Sequence, residues 1–151
     1  MKAQAIQVRP SAVRSRTMRA VRSTHSKMED AVSRALWHRG LRLRRNVRNL
    51  PGCPDLAVRS RRIAIFLDSC FWHGCAAHYR APKENADYWQ QKRARNVARD
   101  RAVVLEYESM GWTVARMWEH QIREDFEASI EKITQLFRET STERKRVPKG
   151  E

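Results

Sequence analysis

The spacing of apolar residues along the chain predicts a mixed α/β protein. Apolar positions recur every three or four residues between Ser26, a capping residue, and Gly40, which predicts one amphipathic helix. Residues 55–58 and 63–68 are short runs rich in apolar side chains, and we interpret them as a β-hairpin joined by a basic turn. The first half of the chain therefore predicts a helix followed by two antiparallel strands.

The second half of the chain predicts two more helices around a third strand. A helical pattern extends from Asn85 to Met110, with a break near Asn96 and Gly111 as the C-cap. Residues 112–117 form the third strand, and the helix before it allows a parallel crossover. A last amphipathic helix covers residues 125–137. Together these elements predict a mixed central β-sheet flanked by helices.

The charge of the chain indicates a polyanionic partner. The 31 Lys and Arg residues outnumber the 17 Asp and Glu residues, which gives a net charge of +14. This excess favours nucleic acid over a membrane surface, because the basic residues do not form one amphipathic helix. The sequence has neither an apolar stretch long enough for a bilayer nor the apolar region of a signal peptide. We therefore expect a cytoplasmic protein without membrane contact.

The 151 residues are enough for one folded domain with two polar ends. Residues 1–23 contain arginines and no acid, which predicts a basic arm, and residues 24–138 form the predicted domain. Residues 139–151 are polar and basic, and we expect a disordered tail there. The three cysteines are an odd number, which favours thiol or metal roles over a disulfide framework.

Two acids lie at one rim of the predicted hairpin. Asp55 begins the first strand and Asp68 ends the second, and antiparallel pairing places such positions side by side. Neighbouring carboxylates repel each other unless a cation lies between them, and Mg²⁺ is the usual one. On spacing alone, two acids at a solvated sheet edge are an equal alternative.

Four side chains have the chemistry of a zinc site. Cys70, Cys75 and His78 follow the second strand closely, and His120 is a candidate fourth ligand. Two thiolates and two imidazoles suit a closed structural Zn²⁺ site better than Mg²⁺, which prefers oxygen. The spacing is not that of a familiar zinc finger, so buried cysteines beside a surface histidine are the alternative.

The loop between the two cysteines carries further candidate residues. Phe71 and Trp72 are consecutive aromatics suited to stacking on bases or wedging between them, although a loop that folds back would bury one ring. His73 is the best general base in the chain or, alternatively, a surface histidine. Glu29 has the position of a capping acid, and Asp100 that of a salt-bridged surface acid.

Five motifs in one order resemble the very-short-patch mismatch repair endonuclease family (Vsr). They cover most of residues 14–137, which makes the resemblance far more specific than any single motif. The motifs are residues 14–20 (RSRTMRA), 50–55 (LPGCPD), 70–75 (CFWHGC), 96–100 (NVARD), and 111–112 (GW) followed by 118–119 (WE).

The resemblance implies a monomeric, restriction-endonuclease-like enzyme that nicks double-stranded DNA at T·G mismatches left by deamination of 5-methylcytosine. It implies Mg²⁺ as the catalytic metal and Zn²⁺ as a structural metal. The residues that match the family by motif are Glu29, Asp55, His73 and Asp100 for catalysis, Asp55 and the backbone carbonyl of Leu67 for Mg²⁺, Met18, Phe71 and Trp72 for a wedge in the DNA, and Cys70, Cys75, His78 and His120 for Zn²⁺.

Two other functions are compatible with the sequence. One is a nuclease of different specificity on the same fold, and the other is a zinc-stabilised DNA-binding module without catalysis. A binding module has little need for Asp55, Glu29 and His73 together. We therefore rank the endonuclease first.

Overall fold

The computed structural model describes residues 26–146 and the side chains as far as Ser141. The predicted basic arm and Met18 lie outside the described residues. No helix in the described part is long and apolar enough to cross a membrane. The elements are helix α1 (Lys27–His38), strands β1 (Arg44–Arg45), β2 (Leu56–Val58) and β3 (Ile63–Asp68), helix α2 (Ala86–Ser109), strand β4 (Thr113–Trp118), and helices α3 (Glu119–Glu124) and α4 (Phe126–Arg146).

The described sheet has four strands in the order β1-β2-β3-β4. The pairs β1–β2 and β2–β3 are antiparallel, and the pair β3–β4 is parallel. The predicted hairpin and the predicted parallel crossover are therefore both confirmed. Because β3 and β4 are parallel and in register from Ile63↔Thr113 to Asp68↔Trp118, their carboxyl ends meet at one edge of the sheet.

The central strand β3 is buried along its whole length, since helices cover both faces of the sheet. Ile63, Ile65 and Leu67 pack in one cluster with α1 and α4, and Ala64 and Phe66 pack in a second with α2. This alternation follows from the two-residue period of a strand. A buried central strand explains why the sequence has an unbroken apolar run at this point.

Helix α1 begins where its sequence predicts. Ser26 is the N-cap, and its hydroxyl accepts a hydrogen bond of 3.2 Å from the backbone N–H of Glu29. At the other end, Gly40 has a φ of +80°, the left-handed conformation in which glycine commonly ends a helix. The cap holds Glu29 in the first turn, beside the edge of the sheet that carries Asp55.

The predicted break of helix α2 near Asn96 is wrong, because the helix is continuous from Ala86 to Ser109. Asparagine interrupts helices when its side chain competes for the local backbone. Here the Asn96 amide donates instead to the backbone carbonyl of Trp72, at 3.0 Å. A tertiary contact therefore removes the reason for the break.

The last helix is longer than predicted. Helix α4 continues to Arg146, so residues 139–146 are helical where the sequence predicts a disordered tail. The hydroxyl groups of Thr140 and Ser141 bond to carbonyls of the preceding turn, and Arg61 donates to the carbonyl of Phe137 at 3.1 Å. The helix thus continues through a segment that has little apolar periodicity.

Strand β1 is a pair of arginines that the predicted elements do not include. Leu41 and Leu43, which pack against the larger core cluster, alternate with arginines just before it. This two-residue alternation was the available signal. The strand forms an edge of the described sheet and brings Arg45 to an ion pair with Asp30 on α1.

Candidate active site and metal cluster

Asp55 lies at the entrance to β2, in the centre of an acidic cleft. Its Oδ2 accepts a hydrogen bond of 2.7 Å from the backbone N–H of Leu67, on the neighbouring strand. Burial raises the pKa of Asp55 to about 6, against the lowering effect of that hydrogen bond; the charges of Glu29 and Asp68 raise it further, and His73 lowers it. The carboxyl group is thus placed where a negative charge is costly.

A cleft of about 720 Å³ joins the residues predicted for catalysis. Glu29 is 7% exposed and lies at one wall, and its charge acts on Asp55. Ser26 accepts the hydrogen bond of the Glu29 backbone N–H, and the Glu29 side chain lines the cleft. The acidic, aromatic and basic residues of its lining include Glu29, Asp55, Asp68, Trp72, His73, Lys92, Glu119 and Arg123.

Asp68 lies near Asp55, as the hairpin predicts, but the cation that neutralises Asp68 is an arginine rather than Mg²⁺. Arg116 on β4 donates from Nε to Asp68 Oδ2 at 2.6 Å and from Nη2 to Asp68 Oδ1 at 2.8 Å. Burial lowers the pKa of Arg116, but the bonds and charges of Asp68 and Asp100 outweigh it and raise this pKa above its ordinary value. Asp68 is therefore neutralised by the protein, whereas Asp55 faces further acids.

His73 is held by Asp100. The distance from His73 Nδ1 to Asp100 Oδ2 is 2.7 Å, and both side chains are largely buried. The predicted surface ion pair for Asp100 is thus wrong in its location, because this acid points into the site. When Nδ1–H of the neutral ring donates a hydrogen bond to Asp100, Nε2 carries no hydrogen and is the nitrogen that can accept a proton.

One face of helix α2 holds the loop that carries His73. Arg93, Asn96 and Asp100 are spaced by three and four residues, so they lie on one side of the helix. Arg93 donates to the carbonyl of Gly74 at 3.3 Å, and Asn96 donates to that of Trp72 at 3.0 Å. Sequence reasoning missed Arg93, although its spacing to Asn96 and Asp100 was a readable signal.

The predicted zinc ligands come together at the edge of the sheet. Cys70, Cys75, His78 and His120 each offer a ligand atom, and these atoms lie within 4.8 Å of one another. The distance from Cys70 Sγ to His120 Nδ1 is 3.2 Å, and those from Cys75 Sγ to His78 and His120 are 3.7 and 3.6 Å. Ligands of one tetrahedral ion are separated by about 3.5 Å, so the cluster is suited to hold a metal ion.

The two thiols of this cluster differ. Burial raises the pKa of both, and at Cys70 it leaves the pKa above its ordinary value. At Cys75 the hydrogen bonds of His78 and of the backbone outweigh burial and lower the pKa. The thiolate form that binds a metal is thus formed more easily at Cys75 than at Cys70.

Phe71 and Trp72 are half-buried and belong to an aromatic cluster. Their rings meet edge to face at 5.0 Å, and both contact Trp89 on α2, at 5.6 and 6.0 Å. The Lys92 ammonium lies 4.9 Å from the Trp72 ring. The loop therefore folds back in part, as in the alternative in which one ring is buried. Both rings nevertheless stay at the surface, beside the Lys92 ammonium. Sequence reasoning missed the contribution of Trp89.

The raised pKa of Asp55 predicts a pH-dependent stability. The carboxyl ionises near pH 4 in the unfolded chain and near pH 6 in the fold, so its penalty is absent below pH 4 and complete above pH 6. In Mg²⁺-free buffer at pH 7.5 we expect Asp55→Asn to stabilise the protein by up to about 3 kcal/mol, from a pKa difference of about two at 1.36 kcal/mol each. The amide oxygen can keep the bond from Leu67.

Urea unfolding of both proteins from pH 4 to pH 8 measures this effect. The difference in unfolding free energy should grow as the pH rises from 4 to 6 and then stay constant. The exposed acid Glu108, changed to Gln, is the matched control and should show little difference. A gain for Asp55→Asn that is equal at pH 4 and pH 8 would contradict the assignment.

Comparisons with known proteins agree with this geometry. A family model described as DNA mismatch endonuclease Vsr matches residues 7–79. The Type II nicking enzyme V.NaeI of Lentzea aerocolonigenes is 41% identical over 125 residues, which cover 80% of this chain and 75% of that enzyme. The DNA mismatch endonuclease Vsr of Escherichia coli K12 is 32% identical over 133 residues, which cover 87% of this chain and 85% of that enzyme.

A third relative extends the same pattern. The Type II nicking enzyme V.NmeDIP of Neisseria meningitidis serogroup C is 33% identical over 128 residues, 83% of this chain and 86% of that enzyme. These matches extend over most of the chain and of its relatives. The chain therefore belongs to the family of the DNA mismatch endonuclease Vsr.

Proposed function

We propose that this protein is a Mg²⁺-dependent DNA endonuclease that nicks one strand at T·G mismatches arising from deamination of 5-methylcytosine, as in very short patch repair. The names of its relatives, a DNA mismatch endonuclease and nicking enzymes, support this activity. The observation that carries the proposal is the single cleft lined by Asp55, Glu29 and the Asp100-bound His73. Under this proposal the enzyme is a cytoplasmic, restriction-endonuclease-like monomer.

His73 is the proposed general base. Asp100 fixes the ring through Nδ1 at 2.7 Å and stabilises the imidazolium that forms when Nε2 takes a proton from water. That water attacks the scissile phosphate in line with the leaving oxygen. Glu29, which is buried and lines the same cleft, accepts a hydrogen bond from the water and orients it.

The donors in the cleft fit Mg²⁺. Asp55 and Glu29 supply carboxylate oxygens, and the charge of Glu29 disfavours ionisation of Asp55 unless a cation is close. Asp55 and the backbone carbonyl of Leu67 would hold the ion. The two residues are already side by side, because the backbone N–H of Leu67 donates a hydrogen bond of 2.7 Å to Asp55 Oδ2. When bound, Mg²⁺ supplies stabilisation of the charge that develops on the phosphate.

The cysteine and histidine cluster fits structural Zn²⁺. Two thiols and two imidazoles fill the four positions of a tetrahedral ion and leave none for a substrate. Its ligands come from the loop after β3 and from the start of α3, so a bound ion would tie these segments together. In this proposal Zn²⁺ holds the loop, and the residues between its ligands do the chemistry.

Phe71 and Trp72 are the proposed wedge, together with Met18, which lies outside the described residues. Separating stacked base pairs costs a few kcal/mol per step, and this cost is smallest at a mismatch. The aromatic cluster keeps both rings half-exposed on a basic surface that includes Lys92. Selectivity for T·G would come in part from this difference in cost.

A nicking assay tests the proposal. A duplex with one T·G mismatch and the matched T·A duplex are incubated with the zinc-loaded enzyme, with and without Mg²⁺. We expect one nicked strand, only with the mismatch and only with Mg²⁺. Equal cleavage of both duplexes would indicate a nuclease of another specificity, and Mg²⁺-independent binding without cleavage would indicate a DNA-binding module.

A further inference from the structure

Arg116 lies between two carboxylates that face the same histidine nitrogen. It takes both oxygens of Asp68, at 2.6 and 2.8 Å, and its Nη2 lies 3.5 Å from Asp100 Oδ1. On the far side, His73 Nδ1 lies 2.7 Å from Asp100 and 3.8 Å from Asp68. The four side chains form a closed group at the edge of the sheet.

The guanidinium group of Arg116 determines whether Asp68 or Asp100 holds His73. Two carboxylates beside one ring nitrogen would repel each other and compete for its proton. Because the Nε and Nη2 groups hold both oxygens of Asp68, that acid stays turned toward the arginine. Asp100 is left at hydrogen-bond distance from His73. A planar guanidinium suits this bidentate task, whereas a lysine ammonium is a single point charge.

Stability alone does not explain an arginine at this position. Its guanidinium packs over the Phe66 ring at 4.8 Å, and its side chain is 22% exposed. Its Nη1 is buried and has no hydrogen-bond partner in the described part of the chain. Replacing buried ion pairs by apolar side chains is often neutral or stabilising. A partly buried guanidinium with one unsatisfied nitrogen therefore indicates a role at the site beyond stability.

We propose that the Asp68–Arg116 pair is a positioning device that keeps Asp100 aligned with His73. Arg116 touches no reacting atom and acts through the two carboxylates. This inference rests on the proposed endonuclease activity, in which His73 Nε2 accepts the proton of the attacking water. It assigns to strand β4 a part in the reaction, and it assigns Asp68 to Arg116 rather than to Mg²⁺.

The test is single-turnover nicking by Arg116→Ala. At saturating enzyme we expect the rate constant to fall roughly 10- to 100-fold, as is typical when a residue that orients a reactive group is removed. The dissociation constant for the T·G duplex, measured with Ca²⁺ in place of Mg²⁺, should change less than about twofold. The matched control is Arg101, an exposed residue of α2 that lines the same groove as Arg116. Arg101→Ala should keep the full rate constant.

Chemical rescue separates positioning from a general structural role. A groove of about 490 Å³, lined by Arg116, Asp68 and Asp100, gives a small cation access to the vacated position. We expect guanidinium at millimolar concentration to restore a large part of the Arg116→Ala rate, and NaCl at equal concentration to restore none. The rate of His73→Ala should not respond to guanidinium. Absence of rescue in a folded, zinc-loaded Arg116→Ala would overturn the positioning role.

A comparison of single and double mutants provides a second test of the positioning role. If Arg116 acts through Asp100, Arg116→Ala should have almost no further effect on an enzyme that already carries Asp100→Asn. Effects that multiply would contradict the inference. Arg116→Lys, which keeps the charge and the aliphatic stem, serves if the alanine variant unfolds, and it should also nick more slowly than wild type.

The failures of the two proposals are distinguishable. If the wild-type enzyme does not nick a T·G duplex, the proposed function fails. If the wild type nicks and a folded Arg116→Ala nicks at the same rate, only the inference about Arg116 fails.

Discussion

His73→Ala is expected to bind a T·G duplex with unchanged affinity and to nick it roughly 10²- to 10⁴-fold more slowly, the usual contribution of a general base. The ring is held at 2.7 Å by Asp100 and lines the cleft that contains Asp55. Removing the imidazole leaves the acids of the cleft and the aromatic cluster in place. The loss should therefore appear in the rate constant of nicking rather than in binding.

Single-turnover kinetics and fluorescence anisotropy with the same labelled duplex separate these two quantities. His38→Ala is the matched control, since His38 is exposed at the end of α1. It should nick at the wild-type rate. Full nicking by His73→Ala would remove this residue from the mechanism, and a parallel loss of DNA binding would show that it contacts the duplex instead.

Cys70→Ser is expected to release the bound zinc and abolish nicking. Its Sγ lies 3.2 Å from His120 Nδ1, so the thiolate joins the loop after β3 to the start of α3. Structural zinc contributes roughly 10 kcal/mol or more to folding in small zinc domains. Loss of even part of this free energy should unfold the loop that carries His73, and should lower the thermal midpoint of the whole domain.

Metal content by mass spectrometry, thermal melting and nicking are measured on the same preparation. Cys53→Ser is the matched control, because Cys53 is exposed and lies outside the metal cluster. It should keep its zinc, its thermal midpoint and its activity. A Cys70→Ser protein with no bound zinc and full nicking would show that the metal does not hold the catalytic loop.

The two sites are interleaved in six residues. Within the loop the backbone N–H of His73 donates to the carbonyl of Ser69, and that of Cys75 donates to the carbonyl of Cys70, both at 3.2 Å. The proposed zinc ligands and the proposed catalytic histidine thus share one compact turn. In the proposed mechanism, the metal that closes this turn is not the catalyst, and it holds in place the residues that are.

The sequence by itself determined the elements and the types of chemistry. Apolar periodicity located helix α1, the hairpin and strand β4, since burial on a helix or sheet face imposes a period that local sequence records. The residues with unusual chemistry were also visible, because cysteines, histidines and paired aromatics are concentrated in one short loop. These signals depend only on neighbours in sequence.

Only the tertiary structure decided which of these residues act together. The parallel register pairs Asp68 with Trp118, so Cys70 and His120, each two residues beyond a strand end, meet in one cluster. The same register lets Arg116 take Asp68 as its partner. No local pattern records such pairs, because they are separated by about 50 positions in sequence and are joined by the sheet.

Helix α2 shows that a tertiary contact can also override a local prediction. Local propensity at Asn96 predicted a break, but the amide bonds to the loop at Trp72, and the helix continues to place Asp100 against His73. A side chain's preference for its own backbone holds only when no tertiary partner is better placed. The sequence indicated most residues of the candidate site, and the packing of α2 and β4 against the loop determined their partners.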